Sequence, residues 1–208
     1  MKLTATDTLE KIYQDPTLPP ICKQVLQFTT TYQERVETDL LTSLRGKYNF
    51  AEWISTLLLV DPQVETAGGE TQVLSALMQH KENSINTLKS ASLKIPATSC
   101  LSYARLANTP SDRAILSTIL DLQKDDTTIS GLKIAFIGAN KAPFEIFDIS
   151  QKVKGKKLNQ DFNELVQAEI RTLLEPKDTY LASAEYIMEM AVVLVGRILN
   201  KELTGEEK

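Results

Sequence analysis

The chain has 208 residues, of which 42% are hydrophobic and 24% charged, ordinary usage for one generous globular domain or two small ones. Its net charge of −4 excludes the basic face that a nucleic-acid partner needs. The longest nearly apolar stretch, Met188 to Leu199, is interrupted by Glu189 and Arg197 and is too short to span a bilayer, which excludes a membrane role.

In chain order, Lys2 to Thr6 alternates as a short strand would. Thr6 and Asp7 can then cap a helix carrying Leu9, Ile12 and Tyr13, which Asp15-Pro16 ends. Pro19-Pro20 opens a second helix with Ile21, Val25, Leu26 and Phe28 inward. Ala51 to Val60 reads as a buried helix with Trp53, Leu57 and Val60 on one face. The period then changes. Gln63 to Ala67 and Thr71 to Leu74 are strand candidates around the turn signal Gly68-Gly69, and Ile85 to Ile95 alternates until Pro96. Thr98 to Leu106, Ile115 to Leu122 and Leu132 to Ile137 read as three strands, with Asp125-Asp126 and Gly131 punctuating the last hairpin. Two helices close the chain. Asn159 to Leu174 aligns Phe162, Leu165, Val166, Ile170 and Leu173, and Leu181 to Leu203 aligns Ala184, Ile187, Ala191, Leu194, Val195 and Ile198.

The expected class is therefore α+β: a mixed front part, then a three-stranded antiparallel sheet with the closing helices packed on one face. The expected divisions are 1–95, 96–203 and a flexible polar tail over 204–208. Cys22 and Cys100 lie outside any CxxC or Cys/His cluster and read as buried free thiols, which fits a reducing compartment. No apolar run follows Lys2, so a soluble, cytoplasmic protein is expected.

No segment makes an active site by itself. His80 is the single histidine and falls in Gln79-His80-Lys81-Glu82-Asn83, a solvated helix end. Gly68-Gly69 lacks the spacing of a phosphate loop. The basic run Lys152-Val153-Lys154-Gly155-Lys156-Lys157 reads as a solvated loop, with docking of an acidic partner as the functional alternative. No pair of carboxylates falls on an apolar helix face where desolvation would tune it for acid–base work.

One stretch is more specific. Ser102-Tyr103-Ala104-Arg105 leads through a loop into Asp112-Arg113-Ala114-Ile115, and this resembles the start of the C-terminal domain in FAD-binding subunits of the xanthine dehydrogenase and carbon monoxide dehydrogenase family. The likeness continues in order. Leu132 to Gly138 resembles the family's central strand, Val153-Lys154-Gly155-Lys156 the segment before its first helix, and Ser183-Ala184-Glu185-Tyr186 with Val193-Leu194 and Arg197 its last helix, although Ile187 replaces the usual arginine. Towards the front, Leu3 to Leu9 and Leu57 to Asp61 resemble two further family segments, so the likeness runs from about Lys2 to Leu203.

The resemblance implies FAD as the family's cofactor, and molybdopterin and iron–sulfur subunits as partners. It also sets expectations where this chain departs from the pattern. The family's glycine-rich loop for the FAD diphosphate would precede Lys2. Its second flavin loop, Thr-x-Gly-Gly-Asn, aligns with Thr38 to Thr42 and places Leu40 and Leu41 where glycines let the main chain approach a ligand. Three positions match cofactor-contacting residues: Thr38 a hydroxyl at the flavin, Glu52 (with a one-residue shift) an aspartate, and Arg105 a lysine or arginine near the isoalloxazine. Each also has a plain structural role available: Thr38 as a loop cap, Glu52 as a first-turn carboxylate favoured by the helix dipole, Arg105 as a strand-end charge. The leading expectation is a truncated, degenerate homologue with an accessory or interaction role, including self-association, and no flavin of its own. The alternatives are a flavoprotein part whose missing subdomain another chain supplies, and a cleft turned over to a different apolar ligand.

Overall fold

The computed structural model describes residues 1–46, 49–79, 84–109, 112–125, 128–139 and 145–204. The chain divides into two compact units, Met1–Pro96 and Ala97–Lys208. The segment around His80, Asp126 and the tail from 205 onward lie outside the described residues.

The first unit holds β1 (Lys2–Thr4), α1 (Leu9–Gln14), α2 (Pro20–Thr29), α3 (Tyr32–Glu37), α4 (Leu40–Arg45), α5 (Ala51–Val60), β2 (Gln63–Thr66), β3 (Thr71–Val73), α6 (Leu74–Gln79), a 3-10 turn (Ser84–Thr87) and β4 (Leu88–Ser92). The strands make an antiparallel sheet in the order β1-β4-β2-β3. Leu3, Val64 and Ala91 lie on its buried face, as alternation requires. α5 is apolar almost all round and buried on nearly every side, so it forms the unit's centre. It ends in a left-handed Asp61, whose carboxylate accepts hydrogen bonds from the Ser75 amide and hydroxyl, both at 2.8 Å, and so fixes the start of α6.

Several expectations are corrected here. Thr8, rather than Thr6 or Asp7, caps α1, accepting from the Lys11 amide at 3.2 Å. Phe28 is not inward; it is 41% exposed, one residue before the end of α2. The alternation read over Ile85 to Ile95 is a strand only from Leu88. The front loop also contains two short helices, α3 and α4.

The second unit holds β5 (Ser99–Leu106), β6 (Leu116–Asp125), β7 (Thr128–Ile137), β8 (Ile146–Asp148), α7 (Ser150–Val153), α8 (Gln160–Leu173) and α9 (Ala184–Thr204). The predicted antiparallel meander is present, and β8 adds a fourth strand, in the order β5-β6-β7-β8. α8 and α9 bury their apolar stripes with one face of this sheet: Phe162, Val166 and Ile170 meet Leu120, Ile134 and Phe136 in a single cluster. The two helices are joined by polar groups as well. Asn163 Nδ2 donates to Asn200 Oδ1 at 2.8 Å, Gln167 donates to Asn163 Oδ1 at 2.9 Å, and Arg171 makes a two-pronged contact with Glu189. Of the basic run, Lys152 and Val153 end α7 rather than lying in a loop, with Val153 buried and Lys152 Nζ donating to Glu169, while Lys154–Lys157 is exposed, with Gly155 bonded to Ile129 by its amide at 2.8 Å. Among the described residues no helix is long and apolar enough to cross a membrane.

Candidate functional site

The segment aligned with the flavin loop is stitched to the turn between β1 and α1. Thr38 ends α3, donating its amide to Glu34 O at 3.0 Å, and its carbonyl accepts from the Leu9 amide at 2.8 Å. Asp39 then caps α4, with Oδ1 accepting from the Thr42 amide at 2.7 Å and its carbonyl from the Ser43 amide at 2.9 Å. Between them, the Leu40 amide donates to Asp7 O at 2.9 Å and the Leu41 amide to Ala5 O at 3.0 Å. Leu40 is fully buried and Leu41 half-buried. The main-chain donors that a glycine loop would present to a ligand are thus directed into the protein at Thr38, Leu40, Leu41 and Thr42.

The receiving turn is itself braced. Asp7 accepts from the Thr4 amide at 2.7 Å and from Lys11 Nζ at 2.6 Å. Burial pushes the Asp7 carboxyl up, but these donors outweigh it and hold the group below the usual carboxylate range.

Glu52 stands in the first turn of α5, 9% exposed, where the helix dipole favours a carboxylate, and its carbonyl accepts from Thr56 Oγ1 at 2.8 Å. Thr38 and Glu52 therefore belong to the first unit, on helices flanking α4. Arg105 belongs to the second: it sits half-buried near the end of β5, and its Nη2 donates to the Asp112 carbonyl, bracing the loop to β6. Asp112 in turn accepts from the Thr109 amide at 3.0 Å.

Sequence reasoning missed a polar cluster under the end of α9. Glu202 accepts from Cys100 Sγ at 3.1 Å, Ser102 Oγ at 3.4 Å and Lys124 Nζ at 2.8 Å. Cys100 is therefore half-buried and hydrogen-bonded rather than enclosed, while Cys22 is buried as expected. Burial, then the Glu202 carboxylate, push the Cys100 thiol up to about 11. Burial raises Glu202 as well, but Lys124 and the other donors bring it below the carboxylate norm. The signal was available: Glu202 follows Ile198 by four residues, on the sheet-facing row of α9 where an apolar residue is expected.

A prediction follows from the signs. Glu202 has a folded pKa below its unfolded value of 4.5, so its contribution is present above that value and fades as pH falls through the folded one. Glu202→Gln is expected to lower stability by about 1 kcal/mol at neutral pH, and the gap to wild type should close by pH 3 in thermal melts. The same change removes an anion beside Cys100, so the thiol should react several-fold faster with a disulfide reagent at pH 8. An unchanged rate would show that Glu202 does not govern the thiol.

Residues 102–201 match the CO dehydrogenase flavoprotein C-terminal domain. A 92-residue stretch is 26% identical to the glyceraldehyde dehydrogenase medium chain of Sulfolobus acidocaldarius; the match covers 44% of this chain and 33% of that one, so it spans a third of the relative's length. The fold is similar to quinoline 2-oxidoreductase from Pseudomonas putida 86, with a TM-score of 0.78 at 16% identity, covering 98% of this chain and 75% of that one. It is also similar to carbon monoxide dehydrogenase from Hydrogenophaga pseudoflava, with a TM-score of 0.75 at 14% identity over 94% and 72% of the two chains. The likeness drawn from the sequence is borne out, and so is the mixed fold class.

Proposed function

We propose that this chain, whose second unit belongs to the CO dehydrogenase flavoprotein C-terminal domain family and which is related to the FAD-binding subunits of molybdenum hydroxylases, acts as an accessory subunit with no flavin of its own. Its partners, on this reading, are subunits of the kind that carry molybdopterin and iron–sulfur clusters.

The observation that carries the proposal is the direction of the main-chain donors from Thr38 to Thr42. FAD bears a diphosphate and a ring edge that require donors held towards them. Here four amides of the aligned loop, those of Thr38, Leu40, Leu41 and Thr42, already donate within the protein, two of them across to Asp7 and Ala5. Freeing them would forfeit roughly 0.5–1.5 kcal/mol for each bond. Thr38, Glu52 and Arg105 remain as candidate flavin contacts, and neutral or charge-assisted bonds from them are worth on the order of 1–3 kcal/mol each. Micromolar binding needs about 8 kcal/mol after the ordering costs are met. Residues of this loop therefore do not fit the group, and no electron-transfer step is routed through it.

The test is a titration of FAD into the isolated chain, followed by flavin fluorescence. No quenching is expected in the micromolar range. Micromolar quenching that Arg105→Ala abolishes would overturn the proposal. Repeating the titration with a companion chain bearing a glycine-rich FAD subdomain separates an accessory role from a split flavoprotein: binding that appears only with both chains, and that Thr38→Val weakens, would assign the flavin site to the pair.

A further inference from the structure

The second unit is open along one side in both of its layers. β5 is an edge strand of eight residues. Its register with β6 runs unbroken from Ser99↔Gln123 to Leu106↔Leu116, with no bulge. The Thr98 carbonyl accepts from the Lys124 amide at 2.8 Å. Alternation along the ladder then directs the main-chain groups of Ser99 and Leu101 away from β6. β5 carries none of the usual devices against pairing: no proline, and a single charge, Arg105, close to one end. The opposite edge, β8, is only three residues long and ends in Asp148.

α9 packs on β5 and β6, so it is the helix nearest this open edge. Its row Ile187, Ala191, Leu194, Val195 and Ile198 is buried, and Gly196 and Asn200 face α8. That leaves Tyr186, Met190, Val193 and Arg197, spaced i, i+4, i+7 and i+11 on one further stripe. Tyr186 is 44% exposed, Met190 and Val193 are half-buried, and Arg197 is exposed. Met190 packs in part against the unit's own core, so Tyr186, Val193 and the outer side of Met190 are what the stripe leaves uncovered.

We infer that this side is a self-association surface: two copies join about a two-fold axis, with α9 packed antiparallel on α9 and the edges of β5 adjoining to continue the sheet. The stripe is self-complementary in a way that identifies the second copy as the occupant. An antiparallel register that sets Met190 of one copy against Val193 of the other also sets Tyr186 against Arg197, since both pairs are centred on the same point of the helix. Each seam thus has two apolar contacts at its centre and a guanidinium over a tyrosine ring at either end. The area is sufficient. A side about 27 Å long and about 20 Å tall, from the sheet through the helix layer, offers roughly 500 Å² per copy, about 1,000 Å² in all, the threshold for a specific interface.

Sedimentation of the full chain at high micromolar concentration tests this. Wild type is expected at twice the chain mass. Met190→Glu combined with Val193→Glu should sediment at the single-chain mass with an unchanged far-UV circular dichroism spectrum. Arg197→Glu, at an exposed position where folding is not at stake, should weaken the dimer about tenfold, and it decides the matter if the double variant does not fold. In hydrogen exchange, the Ser99 and Leu101 amides should slow as concentration rises. A wild-type chain that stays at single mass overturns the inference, and so does a dimer that survives the α9 substitutions. A dimer in which those two amides exchange at a concentration-independent rate removes β5 from the interface.

Discussion

Replacing Trp53 by alanine is expected to destabilise the chain by about 3–5 kcal/mol, a fall in melting temperature of roughly 6–20 °C for a protein of this size. Trp53 has no exposed surface and stands in the first turn of α5, the helix on which the first unit is built. Truncation leaves a cavity that the close-packed surroundings can fill only in part. The indole also makes a second variant informative. Its Nε1 is buried with no hydrogen-bond partner among the described residues, so Trp53→Phe removes an unsatisfied donor along with some volume. That variant should lose less, about 1–2 kcal/mol. Circular dichroism is the proper readout, because Trp53 is the chain's single tryptophan and its substitution abolishes the fluorescence signal. If Trp53→Ala melts within a degree or two of wild type, α5 is not the centre of the unit.

What was legible in the sequence was whatever owes its form to an apolar period. α8 and α9 each bury a stripe, and β5 to β7 alternate between a helix-facing and an opposite side, so their positions could be read residue by residue. α3 has no such stripe, and α4 shows only a fragment of one, Leu40 and Leu44 a turn apart. α3 buries no side chain at all and is held by its ends: Thr31 and Glu34 form a reciprocal capping box, and Arg35 reaches Glu10 at 2.7 Å. The Thr-x-x-Glu spacing was present in the sequence, but six-residue helices yield little to a search for periodicity. Phe28 failed for the opposite reason. It continues the apolar face of α2 by spacing, yet it stands one residue before the end of the helix and is 41% exposed. β8 was too short to register.

The candidate site divides in the same way. That Leu40 and Leu41 occupy glycine positions could be read from the chain by resemblance, and it gave the expectation of a closed loop. Which groups close it could not be read: Ala5 and Asp7 lie more than thirty positions away in sequence, and nothing local announces that their carbonyls take the two leucine amides. Glu202 is the comparable case in the second unit, a carboxylate on a core-facing row whose partners Cys100, Ser102 and Lys124 come from two different strands. Local chemistry proposes such residues, and long-range packing decides what they do.

Gly138→Ala is expected to cost on the order of 3 kcal/mol, far more than a single methyl group would ordinarily cost at an exposed turn. Gly138 follows the last residue of β7 and holds φ at +94°, a conformation open to glycine and strained for alanine. The fold brings β7 beside the start of β6 at this point, with Ser117 opposite Ile137. A Cβ at Gly138 would run into the Ile115 carbonyl oxygen. That oxygen is main chain, and it cannot swing aside as a side chain could, because the Ile115 amide is bonded to Leu106 O at 2.8 Å. Gly155 supplies the control. Its φ is +78°, yet a Cβ there would meet nothing within 4 Å. Gly155→Ala should therefore show the backbone term alone, about 1 kcal/mol. Urea denaturation of the two variants, compared at equal m-values, separates the collision from the strain. Equal losses at both positions would mean that the β6–β7 junction yields to the added methyl, and that Gly138 is required only for its backbone angle.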